Sequence, residues 1–262
     1  MDFKNLILTR TGPIDIITLN RPDSLNAFSY EMIDEMVAVL DELANDWSSW
    51  VLVIKAAGRG FCSGHDVAES LVPPGETIEG VRQINRRMLG IPLKLQRLEK
   101  VTIASVQGVA LGFGFDLALA CDLRVAAEQA RFSQGFLKVG LAPGMGGAWQ
   151  LPRIIGLTKA AELLFTGDFI SAEEAYRYGM LNKLVSAEKL EEETMGLANK
   201  LAKGAPAAIR QAKYLMYNAL QTDFAAALDA CNVAETVTLF TEDFKEGESA
   251  MKERREARYK GR

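Results

Sequence analysis

Two segments of this chain run through the same parts in the same order: an apolar run, a glycine-rich turn and the start of a helix. They read "VLVIKAAGRGFCSGHDV" from 51 to 67 and "VTIASVQGVALGFGFDLALA" from 101 to 120. Neither apolar run alternates with polar residues, as a strand with one wet face would. Runs without alternation belong to parallel strands covered on both faces, and such sheets need helical crossovers. The pair therefore restricts the chain to an α/β architecture.

The remaining pattern agrees. "LILTR" and "IDIITLN" flank Thr11-Gly12-Pro13, a turn signal, and predict an opening hairpin. Ser29 is placed to cap a helix in which Met32, Met36, Val39, Leu40 and Leu43 recur at helical spacing. "IEGVRQINRRMLGIPLKLQRLEK" predicts a helix bent or broken near Gly90 and Pro92, and "LRVAAEQARF" a return to strand. Ser171 and Glu174 form a capping box. Helices are predicted at about 188–203, 206–221, 224–240 and 243–258. This divides the chain into a 1–200 α/β core carrying the site and a 201–262 helical appendage.

Composition narrows the function. A net charge of −4 speaks against nucleic acid as partner, since a phosphate-binding face needs a basic excess. Cys62, Cys121 and Cys231 are too few and too scattered for a disulfide framework, which points to a reducing, cytoplasmic setting. One histidine and no CxxC pair leave a zinc site short of ligands. The N-terminus lacks the apolar core of a signal peptide. Gln107, Asp116 and the glycines interrupt the apolar stretch 101–121, so buried core, not membrane, is expected there.

Neither glycine turn is a P-loop, since no Gly-Lys-Ser/Thr follows, and Gly112-x-Gly114-x-x-Leu117 lacks the third glycine of a dinucleotide fingerprint. Glycine at a strand-to-helix turn lets a ligand approach the backbone, where helix N-termini present free N–H groups. Two such groups aimed at one point would stabilise an oxyanion. The same glycines would equally serve two tight turns at strand ends.

The chain resembles the crotonase (enoyl-CoA hydratase/isomerase) superfamily almost end to end. The resemblance rests on "ITLNRPDSLNAFS", "GFCSGHDV", "VQGVALGFGFDLALACD", "GLAPGMGGAWQLPRIIG", "LLFTGDFISAEEAYRYGMLNKLV" and "EDFKEGESAMKERR". It implies a crotonase-like spiral of ββα units with a C-terminal helical trimerisation region, a homotrimer or dimer of trimers, and an acyl-CoA substrate. It implies no cofactor beyond the coenzyme A of the substrate; the acidic balance and the interrupted apolar run are what speak against nucleic acid and membrane as partners. The thioester carbonyl would become an enolate held by the backbone N–H groups of His65 and Phe113, after Gly64 and Gly112. The Phe113 ring, where the family commonly has glycine, is expected to narrow the acyl pocket.

Asp116 is the expected acid/base. It stands three residues past Phe113, about one helical turn or ~5 Å away, inside an apolar run that should raise its pKa. The family's second acidic position falls on Phe136, so a hydration using two carboxylates is not available and a single-base isomerisation or hydration is expected. The alternatives are decarboxylation or hydrolysis of a CoA thioester through the His65 ring, or a catalytically silent acyl-CoA-binding protein. Gly144 stands where the related decarboxylases carry tyrosine and the dehalogenases aspartate. Cys62 reads as an apolar filler and Asp66 as a loop or helix cap. These two, with Gly64, Gly112, Phe136, Gly144 and Trp149, complete the expected substrate-contacting set. Lys55 and Arg59 are expected near the CoA phosphates, and Phe240 and C-terminal basic residues near the CoA of a neighbouring subunit. In "KERREARYKGR", the interleaved Glu253 and Glu256 predict helical i,i+4 pairing.

Overall fold

The structure, a computed structural model, describes residues 3–262. The predicted hairpin is formed by β1 (Leu6–Thr11) and β2 (Ile14–Leu19), antiparallel in register from Leu6 opposite Leu19. From β2 onward the sheet is parallel: β3 (Val51–Ala56) and β4 (Val101–Val106) add to it in turn. The run "LRVAAEQARF" is not one strand. A turn closed by Ala130 N–H on Ala127 O splits it into β6 (Leu123–Ala127) and β7 (Arg131–Ser133). β6 continues the large sheet beside β4, whereas β7 pairs with β5 (Val109–Leu111) in a second sheet with β8 (Ile170–Ser171). β9 (Lys183–Val185) closes the six-stranded sheet in the order β1-β2-β3-β4-β6-β9.

Helices cover both faces of that sheet, which explains the unbroken apolar runs. On one side lie α1 (Tyr30–Ala44), α2 (Ile78–Arg97) and α3 (Phe113–Ala120), whose buried residues share a core with Ile17, Leu52, Ile54 and Ala104. On the other, α7 (Leu190–Ala202) brings Leu190 and Ala198 onto Val51, Val53, Ile103 and Val125. Between them in sequence run α4 (Gly147–Ile155), α5 (Leu157–Thr166) and α6 (Ala172–Arg177). The caps are as expected: Ser29 Oγ accepts from Met32 N–H at 3.2 Å, and Ser171 with Glu174 forms the full capping box.

Two helical expectations need correction. α2 is continuous through Gly90 and Pro92. Pro92 removes one helical hydrogen bond, but Met88, Ile91, Pro92 and Leu95 are all buried, and that packing keeps the segment helical. The last helices are α8 (Pro206–Ala219), α9 (Phe224–Leu239) and α10 (Glu242–Glu253). α10 stops before the predicted 258 because Arg254 turns left-handed at φ 55 and the tail folds back. There Glu242 N–H donates to Arg262 O and Lys260 N–H to Asp243 Oδ1. The ion pairs of Glu253 and Glu256 accordingly go to Arg255 and Lys203, while the i,i+4 contacts of this stretch are Ser249 with Glu253 and Glu248 with Lys252. The expected division at residue 200 falls in the last turn of α7. No helix among the described residues is long and apolar enough to cross a membrane; the 101–121 stretch is β4, β5 and α3.

Candidate active site

The first glycine turn leaves β3 and runs beside β5. Phe61 and Cys62 N–H both donate to Val109 O at 3.0 Å, and Leu111 N–H donates to Cys62 O at 2.9 Å. One step further the chain bridges to Phe28: Phe28 N–H donates to Gly64 O at 2.8 Å and Asp66 N–H to Phe28 O at 2.9 Å. Along extended backbone successive N–H groups face opposite sides. The two hydrogen bonds to Phe28 use Gly64 O and Asp66 N–H and leave the His65 N–H outside that bridge. Asp66 engages both carboxylate oxygens within this region, one with Arg21 Nη2 at 2.8 Å and one with Ala68 N–H at 3.0 Å. The Ala68 hydrogen bond, then Arg21, hold its pKa below the usual carboxylate range.

The second turn starts α3. Gly112 has φ 53 and ψ −117, a conformation closed to side-chain-bearing residues. The N–H of Phe113, first residue of the helix, has no acceptor within it. The turns are tightly apposed: a Cβ on Gly64 (φ +102) would lie 3.8 Å from Phe113 N and 3.1 Å from Leu111 O. A Cβ on Gly114 would overlap Cys62 O. The Phe113 ring does not enter a pocket as expected. It is 2% exposed and packs edge-on against Phe28, centroids 4.7 Å apart, inside the core.

Asp116 follows on the next turn of α3, fully buried. Gln134 Nε2 donates to its Oδ1 at 2.8 Å, and Oδ2 has no hydrogen-bond partner among the described residues. Burial disfavours the carboxylate and pushes its pKa up to about 7; the hydrogen bonds from Gln134 and from the Gly147 N–H pull the other way without cancelling it. The result is a carboxyl group that can both take and give a proton near neutrality.

The other expected residues distribute around this centre. The Phe136 ring lies 3.7 Å from where a Cβ on Gly112 would be, so an apolar wall stands beside the second turn. His65 Nε2 lies 3.1 Å from Glu69 O; a carbonyl only accepts, so Nε2 is the donor of that contact, and Nδ1 is buried without a partner among the described residues. Cys62 is fully buried and burial pushes its thiol up to about 12, which makes it a packing residue and no thiolate nucleophile. Gly144 is exposed in the loop before α4. Trp149 is on α4 with the Arg153 guanidinium 4.0 Å over its ring. Lys55 is paired with Glu191 at 2.8 Å.

In the sequence Gln134 stands only as the polar residue nearest Phe136, without its contact to Asp116, and Gly147 has no role. Gln134 follows β7 directly and reaches Asp116 from the end of the second sheet. Gly147 opens α4, and a Cβ there would overlap both Asp116 Oδ1 and Gln134 Nε2. The available signal was a polar residue two before Phe136 and the second of two adjacent glycines in "PGMGGAW".

The profile of the family described as "Enoyl-CoA hydratase/isomerase" matches residues 9–262. The short-chain-enoyl-CoA hydratase of Clostridium acetobutylicum is 36% identical over 256 residues, 97% of each chain. The crotonyl-CoA hydratase of Syntrophomonas wolfei is 32% identical, covering 99% of each. The crystal structure of an enoyl-CoA hydratase from Bacillus anthracis superposes with a TM-score of 0.94 at 34% identity, over 99% of this chain and 100% of that one.

Proposed function

The chain belongs to the enoyl-CoA hydratase/isomerase family, and from that premise we propose that it holds an acyl-CoA thioester as an enolate between the N–H groups of His65 and Phe113, with Asp116 as the single acid/base. The chain has the crotonase fold and is an acyl-CoA enzyme of the lyase or isomerase type. One observation carries the mechanistic reading: a fully buried carboxyl with a pKa of about 7 stands one helical turn from the N–H of Phe113, which has no acceptor within its helix.

In this reading the thioester oxygen accepts from both N–H groups, each contributing ~3 kcal/mol to the enolate. In isomerisation, Asp116 removes a proton from one carbon of the 3-enoyl chain and returns it to another as the double bond shifts. In hydration, it takes a proton from water as the hydroxyl oxygen adds to C3, and then returns that proton to C2 of the enolate to give the 3-hydroxyacyl ester. Both balance with one carboxyl and no resident cofactor. Phe136 supplies no second carboxylate, which favours the isomerisation. Gly64, Gly112 and Phe136 shape the thioester seat, with Cys62 packed beneath it. Asp66 acts at one remove by tying the first turn to Arg21.

The assembly we propose is a homotrimer or dimer of trimers, with no nucleic acid or membrane partner, in the cytoplasm. Phe224, Phe240, Phe244 and Met251 of the last helices are exposed in the single chain and would be covered in it. Light scattering should give three or six chains; a monomer would overturn this.

The test offers crotonyl-, 3-enoyl- and malonyl-type CoA esters to the protein and follows products by mass. Turnover of an enoyl ester that is lost in Asp116→Asn supports the proposal. The unpartnered His65 Nδ1 favours a second reading, decarboxylation through the ring. Malonyl-type turnover that survives Asp116→Asn and fails in His65→Phe would put that reading in its place. No turnover of any ester, with binding retained, would mark a silent acyl-CoA binder.

A further inference from the structure

The two oxygens of Asp116 are not equivalent. Oδ1 accepts from Gln134 Nε2 at 2.8 Å, and the missing Cβ of Gly147 leaves room for that contact. Oδ2 is equally buried and has no partner among the described residues. Gln134 itself is 1% exposed, and its Oε1 also lacks a partner, so its one side-chain hydrogen bond is to Asp116. Burying a glutamine with half its amide unpaired costs roughly 1–3 kcal/mol, a cost that packing alone gives no reason to bear.

We propose that Gln134 is a positioning residue: by holding Oδ1 it fixes the carboxyl plane and leaves Oδ2 as the oxygen that takes and returns the proton. This rests on the reading of Asp116 as acid/base. The groups around α3 leave that task to an uncharged donor. Cys62, on the turn packed against α3, and Cys121, at its end, are neutral thiols pushed up to about 12 by burial. Arg124 of β6 donates to Cys121 O at 2.6 Å, at the far end of the helix. Lys213 and Asp122 pair with each other at 2.9 Å beside the same end. His65 belongs to the facing turn, with its Nε2 directed to Glu69 O. α2 faces the core with Met88, Ile91 and Leu95. On α4, Arg153 lies over Trp149. Among the described residues no charged side chain pairs with Asp116, and the side chain that donates to it is Gln134.

The experiment compares the parent with Gln134→Leu and the near-isosteric Gln134→Glu. The first readout is the infrared carboxylic-acid band of the ligand-free protein as a function of pH, assigned by its loss in Asp116→Asn. The second is the pH profile of kcat and KM for the enoyl-CoA substrate. Loss of a charge-assisted donor should move the Asp116 midpoint up by about one pH unit in Gln134→Leu. On the acid limb kcat then falls about tenfold, with KM changing less than twofold. In Gln134→Glu the two carboxyls share one proton over an intermediate pH range, in which the protonated one can still donate to the other, so activity should be confined to that range and fall as the second carboxyl ionises. An unmoved midpoint in both variants, or a loss equal at every pH, would overturn the proposal. The infrared titration needs no substrate. A shifted midpoint without turnover of any acyl-CoA would sink the functional reading and spare the Gln134 contact. An unmoved midpoint with Asp116-dependent turnover would do the reverse.

Discussion

Replacing Asp116 by asparagine should make the protein more stable above neutral pH while removing its chemistry. The folded chain holds this carboxyl at a pKa of about 7, raised from 3.8 by burial. A carboxyl with a raised folded pKa favours the folded state fully below about pH 4, and that advantage is lost as pH rises toward 7. Between pH 5 and about 7 the folded state must give up a proton that the unfolded chain has already lost. At about 1.4 kcal/mol per unit, those two units come to about 3 kcal/mol. Asp116→Asn keeps the shape and the Gln134 contact but has no charge to bury, so it should escape this loss. The assay is denaturant unfolding of parent and variant at pH 5 and pH 8.5, at one protomer concentration so that any assembly contributes equally. The stability difference, variant minus parent, should grow by about 3 kcal/mol between the two. An equal difference at both values would mean that Asp116 is not titrating in the buried state described, and the acid/base argument would fall with it.

Other features give sharper or simpler outcomes. Gly147→Ala places a methyl on Asp116 Oδ1 and Gln134 Nε2, both buried; kcat should fall at least tenfold, and the overpacking should lower the unfolding free energy by roughly 1–3 kcal/mol. Asp15→Leu leaves Lys100, 3.0 Å from it and 4% exposed, as a buried cation without its carboxylate; unfolding free energy should drop by roughly 3–5 kcal/mol. Iodoacetamide at pH 8 should leave Cys62 and Cys121 unlabelled in the folded protein, both being buried and pushed up to about 12; peptide mapping that finds either modified would contradict the packing of the two turns.

What could be read in the sequence was backbone, and what could not was side-chain company. Two apolar runs without alternation required a sheet covered on both faces, and glycines at their ends required close approach. Both follow from local geometry, and the structure realises both. The places where reading failed are those where a distant segment decides. "LRVAAEQARF" carries no local sign that Ala127 ends one sheet and Arg131 begins another; the turn at Ala130 does that. Pro92 signals a helix break, and burial of the surrounding face overrides it. The Phe113 ring could have gone into a pocket or into the core, and Phe28, far back in the chain, settles it. Gln134 is the instructive case. Two residues before Phe136, it belongs to no motif in the sequence. Its importance depends on a hydrogen bond spanning 18 positions and on the absence of a side chain at Gly147. A buried carboxylate that must ionise at neutral pH needs a donor, but not a charged one, since a cation at hydrogen-bond distance would pull its pKa down and weaken it as a base. A neutral amide supplies orientation with less acidification. The absence of charge around Asp116 is thus as much part of the site as Asp116 itself, and no motif encodes it.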